Sequence, residues 1–197
     1  GSNAIAVVST EERGKWCMEI GARAYINRTK FNCWGQLPST KDRAAYSAYL
    51  KEVQRFGKAI WEITGKGIDP DIVFEHPGEQ TFPVSAYVCR RGGMVVFCAG
   101  TTGFNLTFDA AYVWMRQKRL QGSHFATLMQ ADAANHSVMD GRVLPCMSEV
   151  FEFDAIPKAH DLMWKNQHPS GNMALLVNTP ATGLRNLEET RQFAVAS

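Results

Sequence analysis

A short apolar run that leads directly into a loop of small residues constrains the fold of this chain more than any other feature. The run, from Met94 to Cys98, is unbroken and partly β-branched, which is typical of a strand buried on both faces of a parallel sheet. The loop that follows is Ala99-Gly100-Thr101-Thr102-Gly103. Small residues let a ligand approach the backbone, and threonine hydroxyls can hydrogen-bond it. We therefore expect either a ligand site beyond the carboxyl end of a parallel strand or a plain turn from strand to helix.

Strands and helices alternate along the chain, which is typical of α/β proteins. Hydrophobic periodicity and turn residues predict strands at 5–8, 24–26, 71–75, 94–98, 118–123, 149–153 and 173–177. Helices are predicted at 10–20, 40–64, 79–90 and 126–140, the last one amphipathic, with a short helix capped by Asp109 and another, 156–167, capped by Asp154. The predicted fold class is a Rossmann-like, doubly wound parallel sheet.

The glycine-rich turn that holds a pyrophosphate in such folds, GxGxxG, does not occur in the sequence. We therefore expect the chain to enter the fold at its second strand, without the first βα unit. The first strand of a doubly wound sheet lies at its centre, so its absence predicts an unpaired strand edge and an uncovered apolar face.

The charges and cysteines of the chain argue against several classes of protein. The 197 residues carry a formal net charge of +2, and the basic residues are spread out, so no nucleic-acid partner is expected. No apolar run could span a bilayer and no signal sequence precedes the first strand, which predicts a cytoplasmic protein without membrane contact. The five cysteines lack CxxC spacing, so we expect reduced thiols and neither disulfides nor a metal site.

The end of the first predicted strand suits the adenosine end of a dinucleotide. In nucleotide-binding sheets the end of the second strand contacts the ribose, and a hydroxyl together with a basic group favours the 2′-phosphate of NADP. Here Ser9 ends the strand and Arg13 follows one helical turn later. The alternative is a serine that caps the helix and an arginine in solvent.

Two histidines lie at predicted strand ends. His76 ends the segment Phe74-Glu75-His76, which is either an edge that faces a cofactor or a turn with a solvated histidine. His124 follows the strand predicted at 118–123. An imidazole there could reach a bound nicotinamide and its substrate, although a lone histidine is more often structural.

Six segments, taken together, resemble the crotonyl-CoA carboxylase/reductase family. They are FEHPG at 74–78, RGGM at 91–94, CAGTTG at 98–103, WMRQKR at 114–119, GSHFA at 122–126 and CMSEVF at 146–151. The resemblance extends from about residue 4 to residue 177.

The resemblance implies an NADPH-dependent reaction in which crotonyl-CoA and CO2 give ethylmalonyl-CoA. A hydride reaches the β-carbon of the enoyl thioester, and the enolate that results attacks CO2. The chain would be the C-terminal, cofactor-binding part of such an enzyme and would not turn over alone. Two alternatives remain: an enoyl-CoA reductase without carboxylation, and a non-catalytic module for nucleotide binding or oligomerisation.

The resemblance also implies roles for individual residues. His124 would help to hold CO2. The residues implied in NADPH binding are Ser9, Arg13, Arg28, Phe74, Ala99, Gly100, Thr101, Thr102 and Phe125. Arg91 and Tyr112 would approach the acyl-CoA, since a basic group suits its phosphates.

By the same resemblance, residues 1–144 are expected to form a partial NADP-binding Rossmann domain. Residues 145–180 would pack with a GroES-like catalytic domain from an N-terminal half that is not in this sequence, and residues 181–197 would be a tail. A homo-oligomer, tetrameric in the family, is the expected assembly.

Overall fold

A computed structural model describes residues 2–169 and 171–179 of the chain. In order, its elements are β1 (Ile5–Val8), α1 (Glu11–Glu19), β2 (Ala24–Asn27), α2 (Arg43–Thr64), β3 (Ile72–Glu75), α3 (Phe82–Val88), β4 (Met94–Phe97), α4 (Ala110–Trp114), β5 (Arg119–Gly122), α5 (Leu128–Met139), β6 (Met147–Phe151), α6 (Ile156–Trp164) and β7 (Asn172–Leu175). None of these helices combines the length and the apolar character that crossing a membrane requires. The chain divides into two compact units, the first ending at Phe125 and the second beginning at Ala126.

Both sheets of the first unit are parallel. β1 pairs with β2, while β4 pairs with β3 on one side and with β5 on the other. Each strand predicted in this unit is present within one residue of its expected ends. The predicted α/β class with parallel strands is therefore confirmed. Among the described residues, β1 and β3 have no strand partner on their outer sides, so the two sheets are not joined by a ladder.

The core of the first unit forms along one stripe of α2. Tyr49, Val53, Phe56 and Ile60 recur every three or four residues, which places them on one face of the helix, and all four are buried. Asp42 caps the helix by accepting from the Ala45 amide at 3.0 Å, so the helix begins slightly later than predicted.

Strands from both sheets rest on this core. Ile5 of β1 and Val73 of β3 pack against the cluster that α2 forms with Val84 and Val88 of α3. β1 and β3 thus share a common core although no ladder joins them.

The helix predicted at 79–90 is shorter than expected, because residues before Phe82 form a turn around Gly78, whose φ is 95°. Pro83 lies in the first turn, where a missing amide is harmless. At the other end, the Lys118 ammonium donates to the carbonyls of Ala86 and Tyr87 at 2.7 and 2.8 Å. Lys118 is 7% exposed, and its burial lowers its pKa to about 8.

The second unit contains a parallel pair of strands, β6 and β7, joined through α6. Asp154 was predicted to cap α6, but it lies in a short 3-10 turn, Phe153–Ala155, and Ala155 occupies the cap position without a side-chain bond. The predicted domain boundary at 144 follows α5, whereas the second compact unit begins before it. The predicted tail, 181–197, lies outside the described residues.

The helix predicted at 126–140 is present as α5, and Thr127 and Gln130 form a reciprocal capping box at its start. Its amphipathic character does not lead to burial. None of its residues is buried, and Leu128 and Met129 are 90% and 83% exposed.

Lys118 generates a prediction about stability and pH. Its pKa is about 8 in the folded protein and roughly 10.4 in an unfolded chain. Between these values the unfolded chain binds more protons, so the free energy of unfolding rises with pH, by up to about 1.4 kcal/mol per unit. Urea unfolding measured from pH 7.5 to pH 9.5 should show this rise, and Lys118→Met should remove it. A rise of equal slope in the variant would contradict the assignment.

Candidate functional site

The carboxyl ends of β3, β4 and β5 meet at one edge of their sheet. The strands are parallel, and their register aligns Glu75 with Phe97 and Phe97 with Gly122. The segments that follow these three residues therefore begin side by side. The structure thus brings Phe74, the Gly/Thr loop (Ala99–Gly103) and His124 to a common edge.

Thr102 joins the loop after β4 to the loop after β3. Its amide and its hydroxyl both donate to the Pro77 carbonyl, each at 2.8 Å. The same hydroxyl accepts from the Gln80 amide at 3.2 Å. The sequence suggested a hydroxyl available to a ligand, but here it holds the two loops together. Thr101, by contrast, is exposed.

Three glycines allow these loops to touch through their backbones. A Cβ atom on Gly78 would lie 2.5 Å from the Gly103 carbonyl oxygen and 2.9 Å from the Gly100 Cα. Gly103 also has a φ of 130°, a conformation that side chains disfavour. The Gly/Thr loop therefore packs against the turn at Gly78 through backbone atoms, a closer contact than a plain turn from strand to helix requires.

Beneath the loops lies a carboxylate that the sequence reasoning missed. Glu75 is 2% exposed and accepts hydrogen bonds from the Gly78 amide at 3.1 Å, the Thr81 hydroxyl at 2.5 Å and the Ser85 hydroxyl. It thereby ties the end of β3 to the turn and to α3. A signal was present: alternation along β3 places Glu75 on the same face as Val73, which packs into the core.

The rim of this edge is accessible. Phe74 points to the opposite side of β3 from Glu75 and is 68% exposed. Cys98 is exposed and Ala99 and Gly100 are half-buried. An aromatic face and an approachable backbone are therefore available together.

His124 lies at the same edge, directly after β5. The Ser123 amide donates to the Phe97 carbonyl at 2.9 Å, which extends the ladder up to the residue before it. The imidazole is exposed and its ring centroid is 4.0 Å from that of Phe125. Phe125 has a φ of 55° and is 90% exposed. The imidazole is thus free to bond a molecule bound at the rim.

The ends of β1 and β2 form a second edge. Thr10 caps α1 by accepting from the Arg13 amide at 3.2 Å, so Ser9 is not the cap, and the alternative in which a serine caps this helix does not hold. Ser9 is half-buried and Arg13 is exposed. Arg28 follows β2 directly, and since Val8 is aligned with Asn27, Ser9 and Arg28 start from neighbouring positions.

The acidic residue at this edge, Glu11, bonds to three neighbouring side chains. Glu11 accepts from the side-chain amide of Asn27 at 2.9 Å and from the Tyr25 hydroxyl at 2.8 Å, and it pairs with the Lys30 ammonium at 2.9 Å. The bond from Asn27, followed by those from Lys30 and Tyr25, lowers the pKa of Glu11 to about 2. Lys30 offsets its charge, so Arg13 and Arg28 keep the edge basic.

The two residues predicted to contact acyl-CoA lie elsewhere. Arg91 precedes β4 and is exposed at the amino edge, opposite the Gly/Thr loop. Tyr112 belongs to α4, where its ring lies 4.6 Å from that of Tyr87 and 5.3 Å from the Arg116 guanidinium. The structure does not bring Arg91 to the edge that carries His124.

Metal ligands do not converge in the part of the chain that the structure describes. No group of three or more His, Cys, Asp and Glu side chains is placed to hold an ion there. Cys33 and Cys89 are buried, and burial raises the pKa of the Cys33 thiol to about 12, which disfavours the thiolate that a metal needs.

Known proteins resemble this chain in sequence. A family model described as zinc-binding dehydrogenase matches residues 1–139. The crotonyl-CoA carboxylase/reductase of Cereibacter sphaeroides is 59% identical over 189 residues, which are 96% of this chain and 44% of that protein. The chain therefore spans less than half the length of this curated relative.

Solved structures give the same result. A crotonyl-CoA carboxylase/reductase has a TM-score of 0.88 and 65% identity, with 98% of this chain and 45% of that chain covered. The 2-octenoyl-CoA carboxylase reductase CinF, in complex with NADP and 2-octenoyl-CoA, has a TM-score of 0.80 and 30% identity, with 100% and 42% covered.

Glu75 generates a prediction about the loops. In Glu75→Gln one acceptor oxygen becomes an amide nitrogen, so a buried donor loses its acceptor, and we expect a loss of stability of roughly 1–3 kcal/mol. Urea unfolding measures the loss, and faster hydrogen exchange at Gly78 and Thr102 would locate it. Glu79→Gln is the matched control, because Glu79 uses only one oxygen, Oε1, to accept from the Asn105 amide. Equal stabilities of the two variants would contradict the role of Glu75.

Proposed function

This chain belongs to the zinc-binding dehydrogenase family, and from that premise we propose that it is the dinucleotide-binding part of an NADPH-dependent crotonyl-CoA carboxylase/reductase. The observation that carries the proposal is the common edge of three adjacent parallel strands, where Phe74 lies near the end of β3 and the Gly/Thr loop and His124 follow β4 and β5. Residues 1–144 would be the partial Rossmann domain, which lacks the first βα unit. Residues 145–180 would pack with a GroES-like catalytic domain.

We do not assign a zinc ion to these residues, although the family is named for zinc binding. The described residues offer no group of three ligands, so they do not fit the ion, and no step is assigned to it.

The two strand edges fit the two ends of NADPH. Ser9, Arg13 and Arg28 would hold the 2′-phosphate. The Lys30 ammonium offsets the charge of the nearby Glu11 carboxylate, which reduces its repulsion of a phosphate. At the other edge Phe74, Ala99–Thr102 and Phe125 would line the nicotinamide half, since Phe74, Thr101 and Phe125 are exposed there. When bound there, the cofactor supplies the hydride.

His124 would hold carbon dioxide. An imidazole N–H can donate to an oxygen of CO2 and keep the carbon in line with the enolate that forms when the hydride arrives. A CO2 molecule held there would also exclude the water that would otherwise protonate the enolate. The exposed position of His124 suits this role, because it leaves the imidazole open to the thioester of an acyl-CoA bound at this edge.

The acyl-CoA would reach this edge with its thioester end. CinF binds 2-octenoyl-CoA, which supports an enoyl-CoA as the substrate class. Tyr112 and Arg91 would contact the coenzyme A portion, and the amino-edge position of Arg91 suits the phosphates, which lie far from the thioester.

We also propose a cytoplasmic homo-oligomer, a tetramer as the family resemblance implies. The buried thiols of Cys33 and Cys89 are free, which agrees with a reducing compartment.

A reductase without carboxylation is the second candidate function. Incubating the complete protein with NADPH and crotonyl-CoA, with and without bicarbonate, separates the two. A carboxylase gives ethylmalonyl-CoA when bicarbonate is present, whereas a plain reductase gives butyryl-CoA in both cases. A third candidate, a non-catalytic module, predicts no turnover of either kind.

His124→Asn in the complete protein should lower the ratio of ethylmalonyl-CoA to butyryl-CoA. The oxygens of CO2 gain negative charge as the enolate attacks, and a hydrogen bond to a charged group is worth about 1.5–3 kcal/mol, so we expect roughly a ten- to hundredfold change. Chromatography of the products at fixed bicarbonate measures the ratio. His136→Asn is the control, because His136 is an exposed histidine of α5 and no part of the proposed site. An unchanged ratio in His124→Asn would remove His124 from the CO2 site.

Arg13→Ala should weaken NADPH binding by roughly ten- to hundredfold and leave NADH binding unchanged, since only NADPH carries the 2′-phosphate. Titration of nucleotide fluorescence on the complete protein gives both dissociation constants. Lys15→Ala removes an exposed charge from the same helix and serves as the control. Equal losses for NADH and NADPH would place Arg13 outside the 2′-phosphate site.

A further inference from the structure

A small cavity lies where α2, α3 and α4 meet in the first unit. Tyr46 and Tyr49 of α2, Tyr87 of α3, and Asp109 and Tyr112 at α4 line it. Four tyrosines and a carboxylate around one cavity are an unusually polar lining for a place next to the main core.

The Tyr49 hydroxyl is the unexplained group. Tyr49 is 9% exposed, and its hydroxyl oxygen is buried without a hydrogen-bond partner among the described residues. Burial raises the pKa of Tyr49, so the hydroxyl stays protonated and needs an acceptor. Buried hydroxyls without partners are rare in folded proteins, because the group gives up its bonds to water.

Asp109 lines the same cavity and is an acceptor with unused capacity. One carboxylate oxygen accepts from the Ala111 amide at 2.9 Å, which caps α4, and the other accepts from the Tyr46 hydroxyl. Each carboxylate oxygen can accept two hydrogen bonds, so both retain a free position.

The size of the cavity restricts what can occupy it. The volume open to the centre of a water molecule is about 10 Å³, and a single water needs roughly 10–15 Å³ by this measure. An organic ligand is therefore excluded. One water with two to four polar neighbours fits.

We propose that this cavity binds one water molecule, which accepts from the Tyr49 hydroxyl and donates to the Asp109 carboxylate. The water completes a polar link between α2 and α4 that the Tyr46 bond to Asp109 begins. Tyr87 and Tyr112 complete the lining of the site with rings 4.6 Å apart, and burial raises the pKa of Tyr112. The inference does not depend on the proposed function.

The test is the sign of a stability change in the complete protein. If a water serves the hydroxyl, Tyr49→Phe breaks a satisfied bond, and we expect the Tm to fall by about 2–4 °C. If the cavity is dry, the substitution removes an unsatisfied group and the Tm rises, which would overturn the proposal. Tyr46→Phe is the matched control, because its hydroxyl bonds Asp109 directly and its Tm should fall in either case.

A second measurement tests the link itself. Asp109→Asn keeps a side chain that can cap α4 but weakens the acceptor. The effects of Tyr49→Phe and Asp109→Asn should be non-additive in the double variant, since both act on one water. Additive effects would overturn the link. A crystal structure of the unmodified protein should show an ordered water within hydrogen-bond distance of both residues, and a dry cavity there would refute the site.

Discussion

The parallel pairing of β4 with β3 and β5 is the constraint on which the site depends. Its register places the ends of three strands side by side, so the positions of Phe74, the Gly/Thr loop and His124 depend on that ladder. Pairing alone leaves the following loops undetermined, and the buried Glu75 carboxylate fixes one of them through its bonds to Gly78, Thr81 and Ser85. Gly78 in turn packs against Gly100 and Gly103, which fixes the position of the Gly/Thr loop.

At the other edge, formed by the ends of β1 and β2, a carboxylate is again held by its neighbours. A carboxylate near the 2′-phosphate of a cofactor would repel it, yet Glu11 is present in the first turn of α1. Its bonds to Tyr25 and Asn27 turn it toward β2, and the Lys30 ammonium offsets its charge. The same carboxylate that could have opposed the phosphate therefore orders the segment from which Arg28 projects.

Two features of the first unit agree with a partner segment in the proposed enzyme. The outer sides of β1 and β3 have no strand partner among the described residues. Ile72 and Phe74, on one face of β3, are 63% and 68% exposed, while the opposite face packs on α2 and α3. Open strand edges and exposed apolar faces are unfavourable in water, so in the proposed enzyme a further βα unit would stabilise both.

The sequence by itself determined the order of elements, the parallel class and the strand edge at which Phe74, the Gly/Thr loop and His124 come together. Those properties follow from local periodicity and from glycine and threonine after an apolar strand, which depend on near neighbours along the chain. Only the tertiary structure decided that Thr102 holds the loops after β3 and β4 together and that α5 buries none of its residues. It also decided that the carboxylates of Glu75 and Glu11 accept hydrogen bonds from neighbouring groups of the protein. Each depends on which distant groups come within hydrogen-bond or packing distance, and that distance is set by the fold.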